Sequence, residues 1–230
     1  MSPDPRFVPT GDPWPAEAVE RAAAAAAAGL RRPAAAGTAE RLAALVAGDP
    51  DARVRAAALG ALARLPVPGH DAWRTAAVDP DPAIRRRAAD LAPAFASSPV
   101  ETTAALLTLL GDPDPGVAEA AAWALGELGD GAVATGAVDR LAGVAGGHGD
   151  PLVREAAVAA LGSLGDPAGL SAVLAACRDK PAIRRRAVLA LAAFEGPEVD
   201  AALQAALEDK DWQTRQAAED LLGAGPPTDA

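Results

Sequence analysis

The sequence predicts an all-α solenoid of about six helical hairpins stacked behind one capping helix. Three observations carry that expectation. One short pattern recurs six times along the chain at a nearly constant interval. Half of the residues are hydrophobic while only 3% are aromatic, so the core has to be aliphatic and rich in alanine. Alanine is the strongest helix former, and its small side chain lets helices approach closely. Runs of β-branched and aromatic residues, which strands would need, are missing, and the chain has no tyrosine.

The recurring segments are DARVRAAALGAL from Asp51, DPAIRRRAADLA from Asp81, DPGVAEAAAWAL from Asp114, DPLVREAAVAAL from Asp150, KPAIRRRAVLAL from Lys180 and DWQTRQAAEDLL from Asp211. Each contains one anchor: Val54, Ile84, Val117, Val153, Ile183 and Thr214, spaced 30, 33, 36, 30 and 31 residues apart. That interval holds two short helices and two turns, so each repeat is one hairpin that buries its apolar face only by stacking.

Every segment opens as a helix should. Three residues before the anchor stands Asp51, Asp81, Asp114, Asp150 or Asp211, and only the fifth repeat differs, with Lys180. An aspartate there can accept hydrogen bonds from the free N–H groups of the first turn and sits at the positive end of the helix dipole. Pro82, Pro115, Pro151 and Pro181 follow, at the first helical position, where no N–H is needed. Gly129, Gly165, Gly196 and Gly223 come after the periodic residues, as helix-stopping glycines do.

The intervening stretches supply the first helix of each pair: Thr38–Ala47, His70–Val78, Val100–Leu110, Val133–Ala145, Ala168–Cys177 and Pro197–Leu207. Ala16–Leu30 reads as one more helix that caps the array. The resulting layout is a disordered proline-rich segment 1–15, a solenoid over 16–224 and a disordered tail 225–230. Within the solenoid the cap spans 16–30, and the repeats span about 38–66, 68–96, 99–130, 132–166, 167–195 and 196–224. The glycine-rich stretch Gly143–Asp150, with His148, reads as the longest insertion, a mobile lip.

Charge and composition narrow the function. The formal charge is −10, and an acidic surface repels phosphate backbones and anionic lipids, so neither nucleic acid nor membrane is expected as a partner. The single cysteine, Cys177, excludes an intramolecular disulfide, suits a reducing cytoplasm, and reads as a small buried apolar residue. The alanine run from Ala22 to Ala28 is far too short to span a bilayer, and the N-terminus lacks the basic-then-apolar pattern of a signal peptide. A soluble, cytoplasmic protein is expected. No catalytic triad, phosphate loop or metal-ligand cluster stands in the sequence, so no catalytic residue, metal or cofactor is expected.

The repeat consensus, Asp-Pro-x-x-Val-Arg-x-x-Ala-x-x-Ala-Leu-Gly-x-Leu-Gly-Asp, resembles the short bacterial HEAT repeat, the type also called phycobilisome-lyase HEAT-like. Asp114 to Asp130 and Asp150 to Asp166 match it best. The resemblance implies a right-handed α-solenoid of about six HEAT-like helical hairpins of the armadillo-type class. It also implies that the arginine after the anchor (Arg55, Arg85, Arg154, Arg184, Arg215) pairs with a capping aspartate of a neighbouring repeat. Ala118 interrupts that ladder in the third repeat.

In such repeats the second helices line the concave face. Positions two, three, six and ten after each anchor fall off the core stripe and should point into the groove. In order they are Ala56, Ala57, Gly60 and Arg64; Arg86, Arg87, Asp90 and Ala94; Glu119, Ala120, Trp123 and Glu127; Glu155, Ala156, Ala159 and Ser163; Arg185, Arg186, Leu189 and Ala193; Gln216, Ala217, Asp220 and Ala224. The groove is therefore banded: basic in repeats one and two, acidic in three and four, basic in five. Trp123 stands between the bands, with Glu119 and Glu127 one turn away on either side. The candidate binding residues are Trp123, Glu119, Glu127, Glu155, Asp90, Arg86, Arg87, Arg185 and Arg186. Trp14, Trp73 and Trp212 read as packing residues, and His70 and His148 as loop or surface residues.

A rigid curved face with an aromatic centre and banded charge suits a non-catalytic adaptor that holds a protein or peptide patterned acidic–basic–acidic. HEAT-like enzymes supply the competing class. Deoxyhypusine hydroxylases hold iron with His-Glu pairs, and no His-Glu dipeptide occurs. HEAT-like DNA glycosylases use a basic groove, which the carboxylates around Trp123 oppose. A bilin-lyase-like or other small-molecule-handling role is the alternative that the repeat type leaves open.

Overall fold

The computed structural model describes residues 16–31, 36–66 and 69–223. The segments expected to be disordered, 1–15 and 225–230, lie outside them, as do Trp14 and Ala224. Among the described residues the chain is helical with no strand.

A single helix, α1 (Ala16–Ala28), precedes six hairpins. These are α2 (Thr38–Gly48) with α3 (Ala52–Leu62), α4 (His70–Ala77) with α5 (Pro82–Leu91), and α6 (Pro99–Leu109) with α7 (Pro115–Glu127). After the short helix α8 (Asp130–Val133) come α9 (Ala137–Gly147) with α10 (Pro151–Leu164), α11 (Leu170–Ala176) with α12 (Pro181–Ala190), and α13 (Pro197–Ala206) with α14 (Trp212–Gly223). All six anchors are buried. Asp51, Asp81, Asp114, Asp150 and Asp211 each accept a hydrogen bond from a first-turn N–H, at 2.8–3.0 Å.

The helices form two layers. One runs α1–α3–α5–α7–α10–α12–α14, and its neighbours pack more extensively than the first helices α2, α4, α6, α9, α11 and α13 do. Closer packing on one side curves the array toward that side, so the second helices present the concave face. Trp73 fills the core between the layers: it is fully buried, donates from Nε1 to the Ala88 carbonyl at 2.8 Å and stacks near Phe95.

α1 is more than a cap. Gly29 packs against Ala61 as Gly126 packs against Ala160 and Gly162 against Ala190. A Cβ on any of the three glycines would meet the facing alanine's Cα at 2.7–2.9 Å, so only glycine permits these approaches. Counting back from Gly29 by the same register puts Glu20 at the anchor position and Arg21 at the position of the ladder arginines. Arg21 makes the corresponding bond, to Asp49 at 2.8 and 3.1 Å. α1 therefore packs on α3 in the register of a second helix, in phase with the rest.

The ladder differs from expectation in its acceptor. Arg55, Arg85, Arg154 and Arg184 bond in bidentate fashion to Asp79, Asp112, Asp179 and Asp209 of the next repeat, at 2.7–2.9 Å. None of these is the helix-capping aspartate. Asp79, Asp112 and Asp209 lie two residues earlier and also accept the N–H of the capping aspartate itself, at 2.8–2.9 Å. Each such rung thus ties one helix to the turn that starts the next repeat's second helix. The arginine partners hold the carboxyls of Asp49, Asp112, Asp179 and Asp209 below the usual aspartate value.

Between the third and fourth repeats the rung is absent on both sides. Ala118 replaces the arginine and is buried. His148 replaces the aspartate, and its Nδ1 accepts the Asp150 N–H at 3.1 Å. Gly143–Asp150 is no mobile lip: Gly143, Gly146 and Gly147 belong to α9, and the turn from His148 to Asp150 matches the turn Asp49–Asp51. The longer interval is taken up at the other end of α9, by α8 and the turn at Gly136.

Candidate functional site

The concave face follows the expected register closely. Arg86, Arg87 and Asp90 on α5, Trp123 and Glu127 on α7, Ser163 on α10, Leu189 on α12 and Gln216 and Asp220 on α14 are exposed, while Glu119, Glu155, Arg185 and Arg186 are half-buried. The pattern fails at small residues: Gly60, Ala120, Ala156, Ala159 and Ala217, expected in the groove, are buried.

Trp123 is 39% exposed and sits on the groove side of α7, whose opposite stripe, Val117, Ala121 and Leu125, is buried. The Arg186 guanidinium from α12 lies over its ring, 5.4 Å from the centroid, within the range where a cation is drawn to the ring face. Arg186 also reaches Glu155 of α10 at 3.4 Å. Three consecutive second helices are thereby joined across the groove surface, and the acidic side chain of repeat four is matched by a basic side chain of repeat five.

Beside this cluster is an open depression of about 360 Å³, walled by Trp123, Arg186 and Leu189 and floored by Ala159, Gly162 and Ala190. The floor is shallow because Gly162 lets α10 approach α12 closely. Leu189 is 43% exposed, so the depression has an aromatic wall and an aliphatic wall facing solvent. Its chemistry is that of an apolar seat bordered by one guanidinium.

The remaining candidates divide into engaged and open groups. Arg185 hydrogen-bonds Gln213 of the last repeat. The side chains of Arg86 and Arg87 make no hydrogen bond or ion pair among the described residues, and neither do those of Asp90, Glu119 and Glu127. Arg87 lies across Gly60 of α3, its Nη2 3.1 Å from where a Cβ would stand, so the missing side chain of Gly60 makes room for it. Arg86 leans toward Gly116 at the start of α7. The structure therefore brings Trp123, Glu155 and Arg186 together as one cluster and leaves Arg86 and Arg87 as a separate open pair.

Trp212 is corrected: it is 64% exposed rather than a packing residue. His70 is corrected too. It packs against Trp73, its Nδ1 meets the Phe95 carbonyl at 3.0 Å, and its Nε2 lies 3.3 Å from Glu101. Burial raises the Cys177 thiol to about 11, so it stays protonated at neutral pH and is a poor nucleophile.

Fold and face together define an α-solenoid whose second helices form one continuous surface. A family model for HEAT repeats matches residues 70–146, 131–186 and 145–223, and the chain belongs to the HEAT-repeat family. Among solved structures it is similar to YibA of E. coli, with 18% identity, a TM-score of 0.64, and coverage of 92% of this chain and 83% of that one. An engineered protein aligns at 21% identity and TM-score 0.58, over 80% of this chain and 95% of that one. A designed armadillo repeat protein aligns at 16% and 0.54, over 80% and 98%. These likenesses concern the fold. No curated protein matches the sequence. Among the described residues no helix is long and apolar enough to cross a membrane.

Proposed function

We propose that the chain is a non-catalytic adaptor that holds a protein or peptide partner along its concave face, with Trp123 as the central anchor. The observation that carries this reading is a tryptophan held half out of the surface by Arg186, beside an apolar depression with Leu189 on its far side. A solvent-facing tryptophan on a rigid scaffold gains most when a partner covers it, and tryptophan and arginine are the side chains that most often dominate interface energetics.

The test is capture of partners from a native lysate by the wild-type chain and by Trp123→Ala, with thermal melts in parallel. The adaptor reading predicts that a specific partner is lost, its affinity falling by about 2 kcal/mol or more, while the melting temperature barely moves. A drop in stability by about 3–5 kcal/mol would mark Trp123 as a core residue instead. A visible chromophore that co-purifies with the wild type and is lost with Trp123→Ala would favour the lyase-like, small-molecule reading.

A further inference from the structure

We propose that the partner is an extended peptide segment of asymmetric pattern, acidic then basic then apolar, laid from repeat two to the depression between repeats four and five; this rests on the adaptor reading above. Charge banding alone suggests a symmetric acidic–basic–acidic partner. The side-chain contacts break that symmetry. The second basic band is partly used. The Arg186 Nη2 lies 3.4 Å from Glu155 and its guanidinium covers the Trp123 ring, its Nε being buried without a partner among the described residues, and Arg185 bonds Gln213. The first is open, because Arg86 and Arg87 have no polar partner among the described residues and are exposed. Glu119 and Glu127 on α7 are likewise unpaired and come next along the groove. Beyond them the surface turns apolar, with Trp123 and Leu189 bordering the depression.

Each stretch of groove thus asks for a different chemistry. A partner carboxylate meets two guanidiniums that make no ion pair among the described residues, with Asp90 on the same helix and Asp114 beside Gly116 as acidic neighbours. A partner lysine or arginine meets Glu119 and Glu127. A leucine or phenylalanine fills the depression between the Trp123 and Leu189 walls, whose one guanidinium is shared with Glu155. The distances are set by the helix layer. Neighbouring helix axes lie ~8–10 Å apart, so the path from α5 to the seam of α10 and α12 is ~20–25 Å. An extended chain rises ~3.3 Å per residue, which separates the acidic and apolar anchors by about six to eight residues.

The test uses the full chain and fluorescein-labelled synthetic peptides, titrated by anisotropy. The reference peptide carries Asp-Asp, a Gly/Ser spacer with one central lysine, and Leu-Phe, with about seven residues between the two ends. Three further peptides replace the aspartates by lysine, replace Leu-Phe by serine, or shorten the spacer by about three residues. The protein is wild type, Arg86→Glu with Arg87→Glu, Arg185→Glu, or Trp123→Ala, each checked for folding by circular dichroism. The reference peptide should bind tightest, and each altered peptide should lose about tenfold or more. The Arg86/Arg87 double variant should lose a similar factor and prefer the lysine peptide, whereas Arg185→Glu should change affinity less than about threefold.

The inference is overturned if the reference peptide fails to bind, if the lysine peptide binds as well, or if Arg185→Glu is as damaging as the Arg86/Arg87 pair. A single-stranded oligonucleotide that binds in place of the peptide overturns it as well. These results leave Trp123 as an anchor. If Trp123→Ala changes no peptide's affinity although peptides bind, the adaptor reading of this surface fails instead.

Discussion

The junction between repeats two and three and the junction between repeats three and four solve the same problem by opposite means. At the first, α5 is tied to the next repeat by the Arg85–Asp112 rung, and the place of the close-packing glycine is held by Pro93. At the second, Ala118 and His148 remove the rung, and Gly126 brings α7 against Ala160 of α10, the most extensively packed helix pair among the described residues. A directional charged bond and a dense apolar contact can thus each link neighbouring repeats without the other, although the junctions of α1 with α3 and of α10 with α12 carry both. Trp123 sits one turn before Gly126, on the side of the array where small residues do the holding, and its depression is floored by the same kind of small residue.

The comparison can be broken most severely at Gly126. A Cβ there would stand 2.9 Å from the Ala160 Cα, so Gly126→Val has to push α7 and α10 apart. A loss of about 3 kcal/mol is expected in chemical denaturation, at the upper end for overpacking, together with weaker binding at the adjoining depression. A near-neutral Gly126→Val would show that this junction is not held by close packing.

The rungs come next in size. Asp112→Ala strands a largely buried guanidinium and frees the Asp114 N–H, and should lower stability by about 2–3 kcal/mol. The reverse experiment rebuilds the missing rung. Ala118→Arg alone buries an uncompensated cation, and His148→Asp alone gains no partner, but the double variant should recover at least ~1 kcal/mol relative to the sum of the singles. Additive singles would mean that the third junction has no room for a rung.

Acid should separate the two kinds of junction. The carboxyls of Asp112, Asp179 and Asp209 are held below the usual aspartate value by their arginine partners in the folded state, and the Asp51 carboxyl, bonded to the Arg53 guanidinium, is lowered to about 2. Folding then favours the ionised form, so this stabilisation is complete above about pH 4 and is lost as pH falls from there toward 2. Asp112→Ala should make that acid loss shallower, and Gly126→Val should leave its slope unchanged, as read from denaturation midpoints at a series of pH values.

Much of this was legible in the sequence, for identifiable reasons. Helix starts were visible because Asp-Pro at a first turn has a local cause, and the outward phase of Trp123 followed from its distance to Val117. The rung acceptors were not visible. Each repeat offers two aspartates two residues apart, and only the backbone turn decides which one caps and which one faces the preceding arginine. The bonds from Arg186 to Trp123 and Glu155 depend on how consecutive helices are offset, which no single repeat encodes. The true register of α1 was hidden because Glu20 stands at an anchor position that is otherwise apolar or Thr214. The supposed lip was misplaced because glycines at 143, 146 and 147 read as a loop, whereas the packing of Leu141 and Ala145 keeps that stretch helical.

The central claim is that Trp123 faces the groove and is available to a partner. Acrylamide quenching of the wild type and of Trp123→Phe, taken as a difference, isolates this one indole from Trp14, Trp73 and Trp212. The account predicts that the lost component is red-shifted and readily quenched, and that a groove-bound peptide shields it. A lost component that is blue-shifted and unquenchable would place Trp123 in the core and contradict the account.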